Sequence, residues 1–167
     1  MSKFYNQILN GFWTVLAFIP VLQYWIRHYS GPALFWVLAV SMVPLFLPGR
    51  WFDSLQLSPR RSFYESLGIR RMLAFTQDGY LVNRLIRKKD PDYRTVRSRA
   101  DLRGLKSRML VYEKYHWTCF VFFLLTFFLA LRVGEYGLAG LVMLANAGYN
   151  VVPVLIQQYN AVRMGIR

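Results

Sequence analysis

The chain has 167 residues, 55% of them hydrophobic and only 17% charged, against the ~25% charge usual for soluble domains. Its 21 Lys and Arg outnumber 8 Asp and Glu, giving a net charge of +13. Long uncharged stretches and an aromatic content of 17% exclude disorder and an ordinary basic nucleic-acid binder, and a single cysteine, Cys119, excludes an internal disulfide framework.

Four segments are apolar enough to be read as membrane spans, for which ~20 residues cross ~30 Å of hydrocarbon. The first runs from Ile8 to Ile26 and the second from Gly31 to Gly49, with Pro44 and Pro48 near its end. The third, Trp117 to Leu131, is short and needs its flanks or a thinned bilayer, and the fourth runs from Tyr136 to Gln157. The first is read as a retained span and not a signal peptide. Lys3 is the only charge before it, the apolar stretch exceeds a usual h-region, and no small-x-small site closes it.

The connectors Arg27–Ser30 and Arg132–Glu135 are short, so each pair of spans is expected to form an antiparallel hairpin. Between the hairpins, Arg50 to Lys114 carries sixteen Lys and Arg. With Lys3, Arg163 and Arg167 that puts nineteen basic residues on one side and only Arg27 and Arg132 on the other. The positive-inside rule then places both termini and the insert in the cytoplasm.

The expected fold is an all-α integral membrane protein with four transmembrane helices as two hairpins. Residues 1–49 form the N-terminal hairpin, 50–114 a basic cytoplasmic or interfacial insert, and 115–167 the C-terminal hairpin and tail. Within the insert, Ser62–Met72 reads as an amphipathic segment on the membrane surface. Leu73–Asn83 reads as a small hairpin about Asp78-Gly79. Asp90-Pro91-Asp92 breaks the basic run Arg84–Lys89, and a helix capped by Ser98 or Asp101 continues into the third span. The basic charge serves topology, and beyond that contact with anionic headgroups or an acidic substrate; no nucleic-acid partner is expected.

Chemistry concentrates in the last third. Glu113 and His116 are three residues apart and share a helix face at the mouth of the third span. Asn146, Asn150, Pro153, Gln157 and Asn160 follow each other at gaps of four and three, which puts them on one stripe. Amides facing lipid would lack partners, so this stripe is expected to face protein or a polar cavity. Counting 1.5 Å per residue from the outer turn brings His116 and Asn150 to within one turn of the same depth.

An imidazole beside a carboxylate suits a general base for an alcohol, with Glu113 orienting the His116 ring. Asn150 either holds that ring or donates to an oxyanion; alternatively the amides only join helices. One Glu-x-x-His is half of a di-metal set, but the only other histidine, His28, falls at the opposite end, so no metal is expected. The chain has no Gly-x-Ser-x-Gly elbow, phosphate loop or His-x-x-x-x-Asp pair.

Glu113-Lys114-Tyr115-His116-Trp117, then Asn150-x6-Gln157-Gln158-Tyr159-Asn160-x2-Arg163, resembles the glycosyl-4,4'-diaponeurosporenoate acyltransferase family, with the spacing inside each motif kept. The resemblance runs from about Tyr64 to Arg163. Gln158 stands where the family often has Arg, Val111 where Arg is expected, and Asn160–Arg163 lacks the family's proline.

The resemblance implies transfer of a fatty acyl group to a hydroxyl of a glycosylated carotenoid or glycolipid in a bacterial inner membrane, and the helix geometry and charge distribution put that reaction at the cytoplasmic leaflet. It implies His116, Glu113 and Asn150 as the catalytic set, with Asn150 or Gln157 at the oxyanion. Gln157, Tyr159, Asn160, Arg163 and Trp117 would hold the sugar or the head of the donor. Acyl-coenzyme A or acyl-carrier protein would be co-substrate, without a bound cofactor, and membrane lipids the further partners. The rival class is a non-catalytic accessory or assembly protein that binds anionic lipid or a partner subunit through the amide stripe.

Overall fold

The computed structural model describes residues 2–76, 79–88 and 99–165. Among these residues every regular element is helical. The helices are α1 (Ser2–Arg27), α2 (Gly31–Ser41), α3 (Val43–Phe46), α4 (Gly49–Ser54), α5 (Arg61–Ser66), α6 (Ile69–Met72), α7 (Tyr80–Arg87), α8 (Arg99–Arg132), α9 (Tyr136–Asn146) and α10 (Val152–Arg163).

Three helical stretches are long and apolar enough to cross a membrane: Phe4–Arg27, Ser107–Arg132 and Tyr136–Arg163. The third expected span gains the length it needed from its flank, because its helix continues back through His116 and Tyr115 to Ser107 and beyond. The second expected span is the exception. It forms a sixteen-residue apolar helix, Gly31–Phe46, about 24 Å long by the usual rise. Its hydrogen-bond ladder is interrupted at Met42, just before Pro44, which has no N–H to continue it.

Helical periodicity explains how the spans pack. α1 buries Ala17, Val21, Tyr24 and Trp25 on one face and turns Phe12, Val15, Leu16, Ile19 and Leu22 outward. α8 buries Cys119, Phe123, Thr126 and Ala130 at gaps of four, three and four. These faces meet Leu138, Ala139 and Val142 of α9 in one core. α1 lies against α9 and α2 against α8, so the two N-terminal helices find their main partners in the C-terminal pair and not in each other. A buried bond from Trp25 Nε1 to Thr126 Oγ1 (3.2 Å) adds a polar tie between α1 and α8.

The turn from α8 to α9 follows from Gly134, whose φ of 82° lets Glu135 N reach back to Ala130 O at 3.0 Å. There Glu135 meets His28 at 3.3 Å and Arg27 at 3.7 Å. The two short connectors thus share one end of the bundle.

The insert packs at the other end. Ser62–Met72 is not one continuous segment: it divides at Gly68 into α5 and α6, with Tyr64 and Ile69 buried against Ile156 and Tyr159. The expected hairpin about Asp78-Gly79 is also corrected. Leu73–Phe75 is a 3-10 turn and Tyr80–Arg87 a helix, while Asp78 itself lies outside the described residues. Val82 and Ile86, four apart, give α7 a buried edge, and α7 lies against α1. Helical spacing of these two side chains, with a tertiary partner, makes the arm after Gly79 a helix and not a strand. Ser98 and Asp90–Asp92 lie outside the described residues; the helix leading into the third span begins at Arg99.

Gly79 is required by crowding and not by φ. A Cβ there would collide with the carbonyl oxygen of Leu73 and approach that of Thr76 at 2.7 Å. Gly79→Ala is therefore expected to lower stability by about 1–3 kcal/mol, read as a lower unfolding midpoint in detergent. An unchanged midpoint would mean that the turn relaxes freely.

Candidate functional site

The site starts with helix spacing on α8. Glu113 and His116 lie one turn apart, and Glu113 is almost wholly buried, at 1% exposure. The His116 ring packs edge-on against Tyr149, with ring centres 5.7 Å apart. It also lies against the Tyr149 backbone and the Asn150 side chain. Pro153, four residues on, has no N–H to bond the Tyr149 carbonyl as a regular α-helix would.

Between α9 and α10 the chain makes one π-helical turn, Ala147–Val151. Such a turn inserts one extra residue into the helical register. Its effect is visible in the burial pattern. Asn146 and Asn150 are buried as the stripe requires, but beyond the turn the buried positions are Val154, Ile156, Gln158, Tyr159 and Ala161, of which Val154, Gln158 and Ala161 continue the four-and-three spacing. The expected positions Pro153, Gln157 and Asn160 are one residue earlier and only half-buried. The five-residue stripe is therefore corrected to two parts.

The upper part is an amide relay. Asn146 Nδ2 donates to Phe120 O at 3.1 Å, joining α9 to α8. Asn150 Nδ2 donates to Asn146 Oδ1 at 2.9 Å. That bond fixes the Asn150 amide and leaves Asn150 Oδ1 buried without a partner. His116 Nδ1 is likewise buried and without a hydrogen bond. The second ring nitrogen, Nε2, is not among the sealed, unpartnered atoms. Two buried, unpartnered atoms of complementary type thus belong to neighbouring side chains, a ring nitrogen that can carry a proton and an amide oxygen that can accept it. Trp117 Nε1 and Thr118 Oγ1 nearby are also buried and unpartnered.

Behind the ring runs a hydroxyl chain that the sequence did not disclose. Thr14 Oγ1 lies 2.8 Å from Tyr149 OH, which lies 3.0 Å from Tyr115 OH. It links α1, the π turn and α8, and it anchors the ring that His116 packs against. Adjacency of Tyr115 to His116 and of Tyr149 to Asn150 was the only available signal.

The lower part lies about nine residues, or ~13 Å, further along the last helix. Tyr159 is 2% exposed. Its hydroxyl donates to Glu65 Oε1 at 3.2 Å, and the same oxygen accepts from Arg61 Nε at 2.7 Å. The guanidinium carbons of Arg61 and Arg163 stand 5.8 and 6.0 Å from the Tyr159 ring centre. Hydrogen bonding from Arg61 holds the Glu65 carboxyl below its ordinary range, helped by Tyr159 and opposed by partial burial.

Gln158, whose expected relevance was only that it replaces an Arg, is 1% exposed and fully engaged. Its Oε1 accepts from Leu57 N at 3.2 Å and Tyr64 OH at 3.1 Å, and its Nε2 donates to Leu55 O at 3.1 Å. It fastens the segment before α5 to α10. Arg61 and Glu65 were missed; their four-residue spacing is the one trace they leave in the sequence.

The structure thus brings together His116 and Asn150, with Glu113 buried one turn from His116 on α8, and at another level Tyr159 with Arg163. Gln157 and Asn160 are half-buried and Trp117 lies beside His116 on α8. Among the described residues no three His, Cys, Asp or Glu side chains converge.

A family model described as glycosyl-4,4'-diaponeurosporenoate acyltransferase matches residues 48–165. That range holds the insert and both C-terminal helices and excludes α1 and α2. No curated protein and no solved structure matches the chain.

Proposed function

Because the chain belongs to the glycosyl-4,4'-diaponeurosporenoate acyltransferase family, we propose that it moves a fatty acyl group from an acyl thioester to a hydroxyl of a glycosylated carotenoid or glycolipid. The observation that supports the reading is the burial of His116 beside Asn150, each with a polar atom that has no hydrogen-bond partner.

In this reaction Asn150 Oδ1 and the Tyr149 carbonyl hold the Nδ1–H of His116, and Nε2 takes the proton of the acceptor hydroxyl. The hydroxyl oxygen attacks the thioester carbonyl carbon. The tetrahedral intermediate then collapses, the carbon–sulfur bond breaks, and the thiolate leaves with the proton returned from the imidazolium. Glu113, on the same face of α8, stabilises the charged ring. The fixed Asn150 amide favours holding the ring over stabilising the oxyanion, which leaves that task to Gln157. Trp117, Tyr159, Asn160 and Arg163 line the path for the acceptor sugar and the donor.

We assign the reaction to the cytoplasmic leaflet of a bacterial inner membrane, with both termini inside, from the nineteen-to-two distribution of basic residues. A fourth crossing by Gly31–Phe46 belongs to this reading. Lys114 lies eighteen residues, about 27 Å, from Arg132 on α8, and its Nζ donates to Leu45 O at 2.9 Å. The segment after the outer connector therefore returns through the depth of α8, with the bilayer thinned around it.

The test is lipid and pigment profiling of cells with and without the chain. A new acyl ester on a glycosylated lipid or carotenoid is expected. An unchanged profile in cells that make the glycosylated acceptor and express the protein in the membrane would overturn the reading.

A further inference from the structure

The lower part of the site holds more positive charge than it neutralises. Arg61 and Arg163 both stand within 6.0 Å of the centre of one buried ring, Tyr159, and Arg70 acts on the same carboxylate as Arg61. The carboxylate that answers them is Glu65, and it bonds Arg61 alone among them. Arg163 has no ion pair among the described residues and is exposed.

Two guanidiniums drawn to one aromatic ring repel each other, and a single carboxylate offsets only one charge. What the arrangement lacks is a second anion. A guanidinium presents donors in a planar fork suited to phosphate, and stacking on Tyr159 fixes where each fork points. The location also fits a charged group. The cluster sits where the insert meets the last turn of α10, ~13 Å from Asn150, so a ligand anchored there can still reach His116 with its far end.

We propose that Arg61 and Arg163, braced by Tyr159, form a clamp for a phosphate group, with Glu65 as the resident counter-ion that keeps Arg61 in place when the clamp is empty. The proposal rests on the acyl-transfer reading for its choice of donor: the phosphate is that of a phosphorylated acyl carrier, and the acyl thioester extends from it toward His116. The same chemistry would also accept a phospholipid headgroup, and the test separates the two sources.

The full chain is placed in nanodiscs of phosphatidylcholine, and binding of coenzyme A is measured by calorimetry, with phosphate-free pantetheine as control. Coenzyme A is expected to bind and pantetheine not. Arg163→Gln and Arg61→Gln are each expected to weaken binding roughly ten-fold, the scale of one charge-assisted contact. Glu65→Gln is expected to tighten it several-fold, since Arg61 then loses its internal competitor; a gain of binding cannot come from misfolding.

If coenzyme A does not bind, but phosphatidylglycerol co-purifies with the wild type and not with Arg163→Gln, the phosphate is a headgroup. Pantetheine binding as well as coenzyme A, or binding indifferent to both arginines with no lipid retained, overturns the clamp. Because binding is read without turnover, an intact clamp in a chain that transfers no acyl group would refute the reaction and leave the phosphate site standing.

Discussion

His116→Gln is expected to abolish acyl transfer while the protein remains in the membrane at its normal level. Glutamine keeps a polar, hydrogen-bonding side chain beside Asn150 but cannot accept a proton at neutral pH. Loss of a positioned general base costs about 10²- to 10⁴-fold in rate. The packing cost is small, because the ring contributes edge contacts to Tyr115 and Tyr149 and its Nδ1 makes no hydrogen bond. The measurement is formation of the acylated product alongside an immunoblot of the membrane fraction. Product formation at the wild-type rate would remove His116 from the chemistry. Loss of the protein together with the product would instead make His116 a structural residue, which its unbonded Nδ1 argues against.

The second large effect is structural. Gln158→Leu is expected to detach the insert from α10. The amide serves three groups at once, Leu57 N–H, Tyr64 OH and Leu55 C=O, and a leucine serves none. Each buried group left unsatisfied costs about 1–3 kcal/mol, and part is recovered because the Leu55–Ser58 segment can turn to water. A net loss of about 2–4 kcal/mol follows, a fall in unfolding midpoint of roughly 5–15 °C for a chain of this size. Thermal unfolding in detergent reads it. A midpoint within a degree of the wild type would mean that Tyr64 and Ile69 hold the insert by apolar packing alone. The same variant also loosens Tyr64, which packs against Tyr159 with ring centres 6.4 Å apart, so disturbance at the proposed clamp should accompany the loss of stability.

The two parts of the site differed in how far the sequence disclosed them. The helices of the upper part announce themselves by uncharged length, and the Glu113–His116 spacing puts both side chains on one face wherever the helix goes. Their meeting with Asn150 follows from counting residues away from a three-residue turn, because a rise of 1.5 Å per residue is a reliable ruler over five turns. That ruler measures depth and not angle. The π turn adds no apolar or charged signature of its own, so the face beyond it was misassigned by one residue, and Gln157 was expected where Gln158 is buried. Pro153, which has no N–H for the Tyr149 carbonyl, is the nearest thing to a warning.

The lower part was hidden for a different reason. Glu65 and Tyr159 are 94 positions apart, and nothing local tells an Arg–Glu pair on a short helix that a tyrosine will arrive between two guanidiniums. The Asp78-Gly79 turn misled in the opposite direction. The turn is there, but the partner that makes its following arm a helix, α1, is remote in sequence. The division of the second apolar segment at Met42 belongs to the same class as the π turn: the proline was visible, the place where the ladder gives way was not.

The single extra residue in the last helix works as a gear between two dials. Each residue of an α-helix sweeps about 100°, so a chain that gained or lost one position inside Ala147–Val151 would swing everything after it around the axis while the asparagines before it kept their bearing. The proposed catalytic set above and the proposed phosphate clamp below can therefore drift separately through descent. Relatives that share the imidazole and its amides but present a different flank to their cargo need differ by no more than one such click.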